Sequence, residues 1–494
     1  MNRASLRIVM ISSEVESLAR TGGLGDAVEA LSYELARSGA DVVLVTPRYG
    51  VSHVPPNARY WADPIHVRVG AEARTLGVLE SEALGETSAS RGRLRVCLVE
   101  EHALFGRDGI YGDRHGSFGD NDLRFAVLSR GALAVAETIW NGPADVVHAH
   151  DWHAALSVAY ARYTMGEAWA KVPTVFTIHN LAHQGVFGEE ALSRLGIPRD
   201  LFRSDAFERF GQLNLMKGAI ALADRLTTVS PTYAREILTP EFGFGLDDLL
   251  RARREALVGI VNGIDIRRLD PETDPALAAN YNAETADAGR AANKAALMAE
   301  FGLADLTRPL VGIVSRLTGQ KGIDLFLDQV PGLVRDGANV VLVGQGDANL
   351  EHRSQRAAVE HPGRVGVKIA FEPDLARRVC AGADFFAVPS RFEPCGLTQM
   401  YAMRYGAVPI VSRVGGLVDT VTPIDGTGSS GTGILADAGS AEALQLALEQ
   451  ALDLYRDPGA MRQVRARGLG SDFSWSASAR RYLELFTRLV PPTS

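Results

Sequence analysis

Cysteine is scarce in this 494-residue chain, with only Cys97, Cys380 and Cys395. The number is odd and no two stand at a metal-ligand spacing. That argues against a disulfide scaffold or a structural zinc site and fits a reducing compartment. Long apolar runs are absent as well. No stretch approaches the ~20 residues that span a bilayer. The N-terminal run of residues 6–11 is too short for a secretory signal core and reads as a first strand. The expected location is therefore cytoplasmic, with no membrane partner. Positive charge is not in excess either: 51 Lys and Arg against 59 Asp and Glu leave a formal net charge of −8. This excludes broad non-specific binding to nucleic acid, but it allows a local basic pocket for a phosphate. No solenoid-period repeat and no heptad run occurs.

What is present is an ordinary globular composition, 46% hydrophobic and 22% charged, in a chain longer than one core usually supports. Short Val/Ile/Leu-rich runs alternate with helical patterns. The first series comprises residues 7–11, 41–46, 94–99, 145–148, 174–178 and 225–229, with an amphipathic helix over 27–38. A second series comprises 309–314, 339–343, 365–369, 385–388 and 408–411. This alternation predicts α/β units, each a parallel sheet covered on both faces. The boundary is expected near 257–265, a surface loop over 423–433, and a final amphipathic helix over 477–489.

Chemistry-bearing residues cluster just after the predicted strands, where open α/β sheets bind ligands. Glu393 precedes Pro394, which disfavours helix and places the acid on a loop. A helical pattern then starts, with its first free N–H groups on Gly396, Leu397 and Thr398. An acid beside an anion-binding helix start suits a sugar joined to a diphosphate; the alternative is an ordinary loop. Arg316 and Lys321 follow another strand, and positioned cations stabilise a departing phosphate; the alternative is a solvated pair. Arg20-Thr-Gly-Gly-Leu-Gly-Asp26 is a glycine loop in which Gly22 and Gly23 allow close backbone approach and Arg20 could meet a diphosphate; the alternative is a plain turn. His148-Ala-His-Asp-Trp-His153 offers Asp151, with Trp152 read as packing. His179 ends the 174–178 run, either as a site group or as a histidine satisfied by backbone. Gly344-Gln-Gly-Asp347, the Asn262 turn at 261–265 and Gly415-Gly416 complete the set. No carboxylate pair has convincing spacing for a divalent metal, so none is expected.

Taken together and in this order, with Thr227–Glu236 and Thr239–Gly243 between them, these segments resemble bacterial glycogen synthase and plant starch synthase, from about Ile8 to Trp475. The resemblance implies two Rossmann-like doubly wound domains facing a cleft, the GT-B architecture. They would span 1–257 and 258–474, with a helix over 475–494 crossing back to the first. It implies retaining transfer of glucose from ADP-glucose to the non-reducing end of an α-1,4-glucan, with the donor as a substrate and no cofactor. By the same resemblance Asp151, His179, Arg316, Lys321 and Glu393 are catalytic, whereas Arg20, Gly22, Gly23, Asn262, Cys395, Gly396, Leu397 and Thr398 bind substrate. His179 would hydrogen-bond the transferred glucose and Glu393 the donor-sugar hydroxyls. Cys395 would line the pocket as a packing residue. The chain departs from the family at Arg20, usually lysine, at His183, often aromatic, and at Gly319, often bulkier. Two rivals remain: a related transferase with another acceptor, and a catalytically silent glucan-binding or regulatory protein. The oligomeric state is not encoded in these motifs.

Overall fold

A computed structural model of the chain describes residues 5–84, 92–370, 372–425 and 428–490. The described chain forms two compact units. Residues 5–229, 234–263 and 475–490 make the first, and 230–233 with 264–474 make the second.

The first unit is built on a ten-stranded sheet. Its parallel part runs in the order Leu257–Gly259, Arg225–Thr228, Thr174–Ile178, Val146–His150, Arg7–Ile11, Asp41–Pro47, Arg93–Glu100. The chain fills one side of Arg7–Ile11 first and then returns to its other side at Val146–His150. That reversal is the switch point at which doubly wound sheets hold ligands. The central strands are buried along most of their length, as strands covered on both faces must be.

One edge departs from the all-parallel expectation. Glu72–Leu84 pairs antiparallel with Arg93–Glu100, and Ile65–Val69 and Arg59–Tyr60 pair antiparallel with it. Ile65–Val69 alternates buried and exposed, the period-two pattern of a strand with one wet face. Pairing of Leu257–Gly259 with Arg225–Thr228 carries residues 258–263 into the first unit, past the boundary expected at 257.

Helix Trp475–Leu489 also belongs to the first unit. Its buried residues Trp475, Ser478, Ala479, Tyr482 and Phe486 fall on one helical stripe, the spacing that lets one face enter a core. They join Ile8, Met10 and Val42 of the sheet and Leu31 and Leu35 of helix Gly23–Arg37 in a single cluster. Ser478 Oγ donates to Val261 O at 2.5 Å and Arg481 to Gly259 O at 3.1 Å.

The second unit has a six-stranded parallel sheet in the order Val365–Ile369, Asn339–Gly344, Leu310–Val314, Phe385–Val388, Val408–Ser412, Ile434–Ala436. The same reversal occurs here, between Leu310–Val314 and Phe385–Val388. Alternate residues feed opposite faces. Val311, Val340, Leu342 and Phe385 pack with Phe326 and Leu448, while Leu310, Val341, Val343 and Phe386 pack with Leu297 and Met403. Residues 426–427 of the expected 423–433 loop lie outside the described residues; Pro423 and Gly433 form a bridge. Among the described residues, no helix is long and apolar enough to cross a membrane.

Candidate functional site

The sequence-predicted residues follow the carboxyl ends of strands in the two sheets; those around Arg20 and Asp151, and those around Lys321 and Glu393, flank the two switch points, whereas Asn262 follows the edge strand Leu257–Gly259. In the first unit, helix Gly23–Arg37 begins inside the glycine loop, with Gly22 as its cap, ahead of the start expected at 27. The loop is held by Glu14, a residue the sequence reading missed. Glu14 is 4% exposed. It accepts from Thr21 N at 2.6 Å, Gly22 N at 3.1 Å, Thr21 Oγ1 at 3.0 Å and Tyr111 Oη at 2.5 Å. Its position just after the first strand was the available signal. Arg20 is not aimed at open space. One guanidinium nitrogen is shared between Glu16 at 3.0 Å and Asp26 at 2.8 Å.

Across the switch point, Asp151 directly follows strand Val146–His150 and adopts φ +56, a left-handed conformation in which Asp is among the few tolerated side chains. Its Oδ1 accepts from the backbone N–H of His179 at 2.8 Å and of Asn180 at 3.4 Å. These bonds tie the ends of two neighbouring strands together. Burial pushes the Asp151 carboxyl up to about 7, the two N–H donors oppose that rise, and the charge of Glu14 adds to it. The group therefore changes protonation state near neutrality, a property common at sites of proton transfer and charge stabilisation.

His179 follows strand Thr174–Ile178 and is half-buried. One ring nitrogen, Nε2, lies 3.0 Å from Nδ1 of His150. Burial holds His179 down to about 3, so it is neutral near pH 7. His148 is fully buried and lies 2.7 Å from Thr177 Oγ1. Trp152 packs, as expected: its ring meets Phe125 edge-on, and Gly185 leaves room for it. A pocket of about 450 Å³ opens beside Trp152, lined also by His183, Gln184, Arg209 and Phe244; none of the predicted catalytic residues lines it. Asn262 is buried in the segment after strand Leu257–Gly259.

In the second unit, Lys321 and Glu393 meet. The Lys321 ammonium donates to Glu393 Oε2, and the buried Ser390 hydroxyl donates to the same oxygen at 3.0 Å. The loops carrying them are joined along their length. Arg391 N donates to Gln320 O at 2.8 Å, and the Arg391 guanidinium grips both Asp324 oxygens at 2.7 Å. Gly322, at φ +65, lets the loop pass Pro389; a Cβ there would lie 1.9 Å from Pro389 O. Gly415 serves the same end, because its Cβ would lie 1.9 Å from Glu393 O. Its backbone approach fixes the acid's loop from the far side. Arg316 is exposed, and its guanidinium has no ion-pair partner among the described residues.

The helix after Glu393 is Thr398–Arg404 with Leu397 as its cap, so Gly396 does not belong to its first turn. Gly396 sits at φ +70 and ends the loop, leaving Leu397 and Thr398 as the residues at the helix start. Cys395 is buried and Gln399 Nε2 donates to its carbonyl at 3.3 Å, as suits a packing residue. Asp347, at the end of Gly344–Asp347, caps helix Ala348–Glu360 by accepting from Asn349 N and Leu350 N. Among the described residues, no three or more His, Cys, Asp or Glu side chains gather as a metal site.

Comparison with known proteins converges on one chemistry. Residues 7–252 match the family model described as starch synthase catalytic domain, and residues 308–454 match that of glycosyl transferases group 1. The glycogen synthase of Anaeromyxobacter dehalogenans strain 2CP-1 is 46% identical over 493 residues, covering 98% of this chain and all of that protein. The glycogen synthase of Myxococcus xanthus is 45% identical over 494 residues, with the same coverage. The catalytic domain of starch synthase IV from Arabidopsis thaliana, solved bound to ADP and acarbose, is similar with a TM-score of 0.89 and 31% identity, covering 98% of this chain and 99% of that one.

Proposed function

We propose, for a chain that belongs to the glycogen synthase and starch synthase family of glycosyltransferases, that it moves glucose from ADP-glucose to the non-reducing end of an α-1,4-glucan with retention at the anomeric carbon. The full-length likeness to bacterial glycogen synthases supports the glucan acceptor. ADP in the similar plant structure supports the adenine donor.

The observation that carries the mechanism is the Lys321–Glu393 pair at the switch point of the second sheet. Breaking the bond between glucose and a diphosphate leaves negative charge on the departing oxygen, and a cation fixed beforehand lowers that barrier. Lys321 supplies a point charge held in place by its loop. Arg316 supplies a planar fork for two phosphate oxygens. Backbone N–H groups at Leu397 and Thr398 receive phosphate oxygens. Glu393 holds donor-sugar hydroxyls, and a phosphate that approaches Lys321 competes with it for the ammonium. His179 hydrogen-bonds the transferred glucose, and Asp151 lies near it. Gly22, Gly23 and Asn262 contact substrate through the approach their small or polar surfaces permit. Arg20 reaches a phosphate only after exchanging Glu16 or Asp26 for it.

The donor is consumed as a substrate, and we assign no cofactor and no metal. We also propose a cytoplasmic location, which the scarcity of cysteine in the sequence supports. The test is nucleotide release from ADP-glucose and from UDP-glucose, with and without glycogen. ADP release that depends on glycogen, with lengthening of the glucan, is the expected result. Glycogen binding without transfer from either donor would replace this reading with the silent-binder one; transfer to a different acceptor only would replace the glucan.

A further inference from the structure

His150 and His179 lie side by side with Nδ1 of the first 3.0 Å from Nε2 of the second. One proton occupies that contact, and the question is which ring owns it. Both rings are held neutral near pH 7: desolvation is the largest influence on each, and the neighbouring histidines add to it for His150. A neutral imidazole carries one N–H and one bare nitrogen. If His179 donated, His150 would carry its proton on Nε2. That atom is buried and meets no hydrogen-bond partner among the described residues. Buried donors without an acceptor are rarer in folded proteins than buried acceptors without a donor. The cheaper arrangement has His150 donating from Nδ1, with its Nε2 a bare lone pair. His148 repeats the pattern next door, with Nε2 on Thr177 and a buried, unmet Nδ1.

We propose that His150 is a positioning residue that fixes His179 as the neutral Nδ1–H tautomer, so that His179 meets its ligand as a hydrogen-bond donor. Nε2 of His179 is taken by His150, and His179 keeps accessible surface at the carboxyl edge of the sheet. A donor of this kind suits an oxygen acceptor such as a hexose hydroxyl. The identity of that hexose, the glucose of the nucleotide sugar, rests on the function proposed above; the tautomer does not. His150 is in turn fixed from behind. Its ring centroid lies 4.1 Å from that of His148, which packs against Tyr482 and Phe486 of helix Trp475–Leu489.

The test is a long-range proton–nitrogen spectrum of histidine-labelled protein at pH 7, in which nitrogen shifts separate the two tautomers. His179→Gln identifies the His179 signals by their loss. Wild-type protein is expected to show His179 protonated on Nδ1 alone. His150→Phe keeps the ring volume and removes the donor, and should let His179 populate the Nε2–H form. His150→Asn places an amide donor near the position of Nδ1 and should restore the wild-type signal. With an active enzyme, His150→Phe should also lower kcat about tenfold or more, as mis-set tautomers do elsewhere, and His150→Asn should recover part of that loss. An Nε2–H signal for His179 in the wild-type protein overturns the proposal without need of any variant. A tautomer unchanged in folded His150→Phe removes His150 from the role. Absence of glucose transfer by wild-type protein would count against the proposed reaction and leave the tautomer result standing.

Discussion

Lys321 is neutralised by Glu393, so a phosphate that recruits it must compete with a carboxylate already in place. An interaction that strengthens as charge grows on the leaving oxygen shows in kcat more than in KM. Lys321→Ala should lower kcat by about 10²–10³-fold with a near-normal melting temperature, and Lys321→Arg should rescue it only in part, because its planar head differs in reach. A near-normal kcat in folded Lys321→Ala would return the residue to the solvated class. Asp151 makes a second residue-scale prediction. Its carboxyl is raised from 3.8 to about 7 by burial, so between those values the folded chain binds more protons than the unfolded one. Stability therefore falls as pH rises through that window and levels off above it. Asn at 151 keeps an oxygen for the two backbone donors and has no charge to desolvate. Asp151→Asn should raise unfolding free energy at pH 8 by on the order of 1–4 kcal/mol while lowering transfer activity; equal denaturation midpoints at pH 8 would contradict the burial argument. Asp151, His179, Lys321 and Glu393 were legible in the sequence because each stands directly after or near an apolar run. Glu14 and His150 also stand at the ends of such runs, but what singles them out, the Thr21, Gly22 and Tyr111 donors for Glu14 and the His179 ring for His150, is brought in by the fold and has no spacing in the sequence.

At the scale of elements, the loop 315–322 depends on Gly322. A side chain there must adopt φ +65 and displace Pro389 O, which L-residues other than Asn and Asp do poorly. Gly322→Ala should destabilise the second unit by about 2–4 kcal/mol and lower kcat as well, since the Lys321 and Glu393 loops join at this point. Urea denaturation with separate activity assays would reveal the effect, and an unchanged midpoint would refute it. Continuous apolar runs announced every central strand, because a strand buried on both faces has no other way to be stable. The antiparallel edge from Arg59 to Leu84 escaped notice because its strands alternate and its register is set by pairing, although His66 and Arg68 between Ile65, Val67 and Val69 were a readable signature. The helix starts past Gly396 because a glycine here reads equally as a first turn or as a left-handed loop end; the value φ +70 decides for the loop end, with Leu397 as the cap.

For the whole molecule, four histidines of the first unit, three of them buried and His179 half-buried, set the acid limit. His148, His150, His153 and His179 are all held below their ordinary 6.5, chiefly by burial. The unfolded chain therefore binds more protons than the folded one as pH drops below 6.5, and stability is lost at up to about 1.4 kcal/mol per pH unit for each histidine. Asp151 works in the opposite sense and offsets one of them. Melting temperature should fall steadily between pH 6.5 and 4; a flat profile would mean these rings are hydrated. Activity should also survive EDTA, because in the proposed mechanism Lys321, Arg316 and backbone N–H groups supply the positive potential. Loss restored by Mg²⁺ or Mn²⁺ would reveal a metal requirement. The placement of helix Trp475–Leu489 in the core of the first unit has a consequence in time. A ribosome delivers that helix only after it has made residues 264–474, which takes roughly 10–40 s at bacterial-to-eukaryotic synthesis speeds. Throughout that interval the nascent first unit carries an uncovered apolar groove where Trp475, Tyr482 and Phe486 will sit, and His148 and His150 lack their backing. Chains stalled near residue 470 should hold a chaperone that the full sequence stalled behind an added C-terminal linker has released, so that the first unit to emerge is the last to be finished.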